Sequence, residues 1–149
     1  MDLEEYRAKR DFEKTPEPSG EQQGGGKSRF VVQRHQASRL HYDFRLEMEG
    51  VLKSWAVPKA IPLEPGVRRL AVEVEDHPVA YIDFAGNIPE GEYGAGTVET
   101  WDKGEYKLDN KVTDRIEITL TGEKLSGSYL LIHTDGKNWL LIKRKTKQK

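Results

Sequence analysis

From Arg29 onward the chain alternates apolar and polar residues with a period of two, the signature of strands that present one face to a core. Phe30 and Val32 begin the pattern. Leu40, Tyr42, Phe44 and Leu46 then share one face, and His41, Asp43, Arg45 and Glu47 the other. Leu70, Val72 and Val74 oppose Glu73, Glu75 and His77, and Ile116, Ile118 and Leu120 alternate with Glu117 and Thr119. Tyr129–Ile132 and Trp139–Ile142 are short apolar runs. Turn signals separate these stretches at Glu49-Gly50, Pro65-Gly66, Gly91 to Gly96, Asp109-Asn110, Gly122 and Asp135-Gly136. Short strands spaced by roughly 8–12 residues, with little helical periodicity, predict an all-β fold: a small antiparallel β-barrel or sandwich, the barrel being the expected form, with long loops. There is no internal repeat.

Before Arg29 the pattern changes. Leu3, Tyr6, Arg10 and Phe12 recur about a turn apart, which predicts a short helix over Asp2–Lys14, with Glu4 and Glu5 near its start. Thr15–Ser28 holds two prolines, four glycines and two glutamines and reads as a flexible loop. Its glycines lack the strand-then-helix setting of a phosphate-binding loop. The expected organisation is one domain over 1–149, with 1–28 as N-terminal helix and loop and 29–149 as barrel core.

Composition narrows the classes. A chain of 149 residues is the size of one domain. No apolar run approaches the roughly 18 residues of a membrane span, and no secretory signal is recognisable. The cysteine count is 0, which removes disulfides, thiolate metal sites and cysteine nucleophiles, and a cytoplasmic location is expected. The net charge of −1 carries no argument for nucleic-acid binding. Charge is placed unevenly, however: Lys143, Arg144, Lys145, Lys147 and Lys149 crowd the end, read as a solvated tail, and Asp83–Glu105 is mostly acidic.

The chemistry concentrates in Gln33–Arg45, QRHQASRLHYDFR. His41, Asp43 and Arg45 project from one face of a strand, and His35 shares their parity unless the turn between breaks it. Two imidazoles and a carboxylate form a mixed N/O ligand set suited to Mn²⁺, Fe²⁺ or Zn²⁺ with open positions. Arg45, Lys59, Arg68 and Arg69 supply cations of the kind that hold phosphoryl oxygens. His77, on the face of Glu73 and Glu75, is a candidate ligand, general acid or phosphate donor. His133 reads as structural, and Gly91, Gly94 and Gly96 as shaping a turn.

These residues carry a resemblance. FVVQRHQASRLHYDFRLEMEGVLKSWAVPK, RRLAVEVEDHPVAYIDFAGNIPEGEYGAGTVETWDKGEY, the closing NWLLIKRK and the opening YRAKRDFEKTPEP resemble the 3′-phosphoesterase domain of bacterial DNA ligase D and its free-standing archaeal relatives, over essentially the whole chain. The resemblance implies a Mn²⁺-dependent activity, with Co²⁺ or Zn²⁺ as other candidate metals. It implies removal of a 3′-terminal ribonucleoside from a DNA or RNA-tipped primer–template, then of the remaining 3′-phosphate, to leave a 3′-hydroxyl for non-homologous end joining. It places the metal on His35, His41 and Asp43. Arg45, Arg69, His77, Lys59 and Tyr81 fall around the phosphate, Gln33 and Glu75 support them, and Arg10, Asp11 and Glu17 reach in from the opening segment. Ala60 and Ala85 depart from the familiar pattern at positions that are not ligands. Because the chain stops at Lys149, it is expected to act as a monomer, with a separate DNA ligase and polymerase as partners.

Two other classes compete. An iron and 2-oxoglutarate oxygenase would use His41-x-Asp43 with His77 or His133 as third ligand, but would leave His35 idle. A non-catalytic single-strand-binding barrel would use Trp55, Trp101 and Trp139 as stacking platforms, but leaves the His/Asp set unexplained.

Overall fold

The computed structural model describes residues 3–18 and 28–145. The strands are β1 (Arg29–Gln36), β2 (Leu40–Met48), β3 (Val51–Val57), β4 (Arg68–His77), β5 (Gly86–Ile88), β6 (Gly96–Val112), β7 (Arg115–Gly122), β8 (Ser126–Asp135) and β9 (Asn138–Lys143). All pairings are antiparallel, in the order β1-β2-β3-β4-β9-β8-β7-β6, and β6 returns to β1. Eight strands therefore close an all-β barrel, and β5 is a short addition on β6.

The alternation decides what lies inside. One face of each of the eight strands contributes to a single core: Phe30 and Val32, Phe44 and Leu46, Trp55 and Val57, Ala71, Tyr106, Ile116 and Ile118, Tyr129 and Leu131, Trp139 and Leu141. A barrel of this size encloses room for side chains and no more. Trp55 and Trp139 meet edge to face inside it, with ring centroids 5.7 Å apart. Trp101 is half-buried against Tyr42 at the edge of the same core. The tryptophans are thus packing residues and offer no row of stacking platforms.

Part of the outer face of β1–β4 is buried as well. Val31 and Leu52 pack there with Tyr6, Tyr81, Ile82, Phe84, Ile88 and Val98 in a second apolar cluster. The cover is the 3₁₀ helix Val79–Asp83 and the N-terminal segment. This is why His41, Asp43 and Arg45 oppose an apolar face without being exposed.

Three sequence expectations change. The helix is only α1 (Glu4–Ala8), five residues; Leu3 at its N-cap has no side-chain oxygen to hold it, and so short a helix depends on packing. Tyr6 is pinned in the outer cluster, and the chain then turns, with Lys14 and Thr15 amides bonded to the Asp11 carbonyl. Thr15 and Glu17, placed in the flexible loop, are buried. Asp2, the glycine run 24–26, Lys147 and Lys149 lie outside the described residues. On β4, the register Ser54↔Val74 followed by Leu52↔His77 sets Glu75 and Asp76 against Lys53 alone. This bulge reverses the parity. Glu73 faces inward, where its Oε1 accepts from Trp139 Nε1 at 3.0 Å, while Val74 and His77 both face outward. Glu73 therefore does not share a face with His77.

Candidate active site

The β1–β2 hairpin builds the centre. In its register His35 lies directly opposite His41, and Gln33 opposite Asp43. Directly opposed residues of an antiparallel pair project from the same face, so the intervening turn preserves the parity. His35 Nδ1 stands 3.6 Å from Asp43 Oδ2, and His41 Nε2 stands 3.2 Å from Asp43 Oδ1. One ligand atom from each residue lies within 4.8 Å of the others.

The far side of each ring is held by a backbone carbonyl. His35 Nε2 lies 2.7 Å from the Gly94 carbonyl, and His41 Nδ1 lies 3.3 Å from that of Arg39. With those nitrogens donating, the inward nitrogens keep their lone pairs. Metal-binding imidazoles are oriented in this way, so the trio fits a divalent metal. Gly94 owes its place to the turns before Gly96. There a Cβ would sit 2.0 Å from the Gln36 carbonyl oxygen, at φ +138°.

Arg45 is 3% exposed and its fork is largely engaged. Nε donates to Gln33 Oε1 at 2.8 Å, Nη1 to Ser54 Oγ at 2.9 Å, and Nη2 lies 3.4 Å from Asp43 Oδ2. Gln33 in turn donates to the carbonyls of Tyr81 and Phe84, which ties the 3₁₀ helix to the barrel. Burial works to raise the Asp43 carboxyl's pKa, but Arg45 and the two histidines hold it well below the usual carboxylate range. A proton added to His41 Nε2 would be donated to Asp43, and this raises the His41 pKa above its ordinary value, although burial opposes it.

The N-terminal segment completes the wall. Arg10 Nε donates to Glu17 Oε2 at 2.9 Å and Nη1 to Glu75 Oε2 at 3.2 Å, all three side chains being buried. Glu17 also accepts from the Tyr81 hydroxyl at 2.7 Å and from Thr15 Oγ1 at 2.9 Å. Burial, then Arg45 and Arg10, push the His77 pKa well below its ordinary value, so its ring is neutral. Its Nδ1 faces the Glu75 carbonyl at 2.9 Å, which leaves Nε2 as an acceptor 3.4 Å from Arg10 Nη2.

The result is one cavity of about 310 Å³ lined by Arg10, Glu17, His35, His41, Asp43, Arg45, Glu75, His77 and Tyr81. Gln33 stands behind it. Other candidates fall outside the lining as well. Asp11 is exposed and caps its own turn, its Oδ1 accepting from the Glu13 amide at 3.1 Å. Lys59 and Arg69 line a separate cleft. His133 bonds the Gly136 carbonyl at 2.7 Å and packs on Trp139, so it cannot complete a triad with His41 and Asp43. Sequence reasoning missed Ser54, Tyr6, Thr15 and Tyr93. Ser54 did carry a signal, as the one hydroxyl in the strand VLKSWAV at the position opposite Arg45. Tyr93, half-exposed at the rim under Lys9 and Arg10, carried none.

The family model for the DNA ligase D 3′-phosphoesterase domain matches residues 33–133. The chain belongs to that family. The matched span holds His35, His41, Asp43, Arg45, Glu75, His77 and Tyr81; Arg10 and Glu17 precede it. The chain is 53% identical over 155 residues to the multifunctional non-homologous end joining protein LigD of Pseudomonas aeruginosa, covering 96% of this chain and 18% of that protein. It is 49% identical over 156 residues to the LigD of Mycolicibacterium smegmatis, covering 96% and 20%. With the LigD of Mycobacterium tuberculosis the identity is 47% over 152 residues, covering 98% and 20%. The chain thus spans about a fifth of the length of the curated relatives it matches.

Proposed function

We propose that this chain is a divalent-metal-dependent phosphoesterase that heals nucleic-acid 3′ ends during DNA repair, taking off a 3′-terminal ribonucleoside and then the 3′-phosphate. The observation that carries the reading is the His35–His41–Asp43 trio, its inward nitrogens freed by backbone carbonyls, with buried Arg45 and Arg10 on the same cavity. The N/O donor set suits Mn²⁺, and Co²⁺ or Zn²⁺ would fit the same three side chains. A bound metal would supply a nucleophilic water and neutralise phosphoryl charge.

The chain's own groups do the rest. Asp43 stays ionised and ready to ligate. Arg45 and Arg10, each paired with buried carboxylates, still set fixed guanidinium N–H groups on the wall of a desolvated cavity, where a donor to a phosphoryl oxygen counts most. His77 holds no proton on Nε2 and accepts from Arg10, so it serves as a positioning residue for that guanidinium. Tyr81 keeps its proton, because burial and Glu17 raise its pKa even against Arg45, and its hydroxyl steadies Glu17.

The test is incubation with a primer–template ending in one ribonucleotide, with and without Mn²⁺, resolved on a gel. The expected products are a 3′-phosphate strand followed by a 3′-hydroxyl strand, formed only with metal. His41→Ala should abolish both while the far-ultraviolet spectrum stays β-type. An unchanged rate in that variant at saturating Mn²⁺ would reject the metal assignment.

A further inference from the structure

Lys59 and Arg69 form, with Arg68, Pro58 and Leu70, a cleft of about 230 Å³ distinct from the metal cavity. The cleft lies at the end of the barrel where β3 stops and β4 starts. The buried or half-buried arginines elsewhere face carboxylates: Arg10 with Glu17, Arg29 with Glu47, Arg45 with Asp43. Among the described residues, Lys59, Arg68 and Arg69 have no carboxylate partner. Arg69 is instead fixed by backbone carbonyls, Nε bonding to that of Ala60 at 3.2 Å and Nη1 to that of Arg68 at 3.1 Å. A guanidinium anchored through neutral acceptors keeps its charge unneutralised.

The cleft is joined to the metal cavity by a continuous strip. Before the bulge, Arg68, Leu70, Val72 and Val74 alternate onto the outer face of β4. Val74 lines the metal cavity, as does Ala56, the partner of Val72. Leu70 lines the cleft and is 46% exposed. From Val74 to Leu70 the strand covers about 13 Å, and to Arg68 about 20 Å, at ~3.3 Å per residue. A stacked strand rises ~3.4 Å per nucleotide, so that path matches about four to six nucleotides.

We propose that the Lys59–Arg68–Arg69 cleft is a second subsite that holds the sugar–phosphate backbone of the strand whose 3′ end occupies the metal cavity, several nucleotides back from that end. Cations at one end, an apolar strip between and a metal centre at the other suit a polyanion with apolar faces. The inference rests on the reading of the metal cavity as a 3′-end site. It sets Lys59 and Arg69 on an internal phosphate, where the family resemblance placed them around the reacting one.

The experiment measures binding of 5′-labelled oligothymidylates with 3′-hydroxyl ends, three and ten nucleotides long, by fluorescence anisotropy across a salt series, using the full chain with Mn²⁺. The ten-mer should bind more tightly than the trimer. In Lys59→Gln/Arg68→Gln/Arg69→Gln, the log–log salt slope for the ten-mer should fall by about 2, since each phosphate contact on a single strand contributes ~0.7. Most of the length advantage should vanish with it. The double variant Lys59→Gln/Arg68→Gln keeps the Arg69–Ala60 contact, guarding against misfolding, and should lose about 1.4 by the same rule. An unchanged slope, no length advantage in the unaltered chain, or displacement of the ten-mer by poly-glutamate at equal charge would overturn the proposal. Because the readout is binding, a chain that fails to process 3′ ends yet shows these slopes would remove the phosphoesterase reading and leave the cleft standing.

Discussion

At the scale of single residues, Arg45 shows how a position can matter for reasons other than a substrate contact. Its guanidinium bridges Gln33 on β1, Ser54 on β3 and Asp43 on β2. Arg45→Lys keeps the charge but cannot reach all three. The abandoned acceptor on Gln33 is buried, so a loss of about 1–3 kcal/mol is expected by urea unfolding, along with reduced turnover. A variant as stable and active as the parent would show that the fork is dispensable. His77 offers a second test. As a positioning residue without a proton on Nε2, its replacement in His77→Ala should slow an aryl phosphate and a nucleotide 3′-phosphate by similar factors. A loss confined to the poor leaving group would make it the general acid instead.

At the scale of elements, the N-terminal segment is a strap and not an independent helix. Tyr6 fills the outer apolar cluster, and Arg10 neutralises Glu17 and Glu75 beneath it. Deleting residues 1–14 should leave the barrel's strand content intact. It should also expose Val31, Leu52 and Tyr81, raise binding of an apolar dye, and abolish 3′-end processing. Retained activity would separate the strap from the site. The barrel's closure has its own sensitive point. A Cβ on Gly104 would lie 2.0 Å from the Thr121 carbonyl oxygen, so β6 and β7 pair only because that side chain is absent. Gly104→Ala should cost roughly 1–3 kcal/mol or prevent folding, read by thermal melts. The strands themselves were legible in the alternation of Phe44, Leu46, Ile116, Ile118 and Leu120. The N-terminal helix was overextended because Tyr6, Arg10 and Phe12 suggest a helical stripe, whereas they are set by what each meets on the barrel.

At the scale of the whole molecule, buried charge links stability to pH. Burial works to raise Glu75, but its own backbone amide, Lys9 and Arg10 hold it below its ordinary value near 4.5. A carboxyl depressed in the folded state stabilises the fold fully above its unfolded value, and that contribution is lost as pH falls through the depressed one. The stability gap between the unaltered chain and Glu75→Gln should therefore be present near neutral pH and narrow as pH drops below about 4.5. A gap that stayed constant into acid would show that Glu75 stabilises by something other than its charge.

The sequence by itself determined the strand periodicity and the all-β class and marked His35, His41 and Asp43 as a candidate ligand cluster, because each of these is local. A hairpin carries His35, His41 and Asp43 to one place through pairing rules that need nothing beyond residues 33–45. Only the tertiary structure decided where that trio sits. The same alternation would serve a lumenal or an outer face. The outer one became a cavity because the strap and the 3₁₀ helix cover it, contacts made across some 65 residues between Arg10 and Glu75. Parity alone put His77 beside Glu73. A single extra residue opposite Lys53 set them on opposite sides of the sheet, and such a bulge leaves no mark in the alternation of EVEDH. Lys59 and Arg69 parted from the cavity of His35, His41 and Asp43 for a similar reason: loop closure at the end of the barrel, rather than any neighbour in sequence, fixes what a long cation can reach.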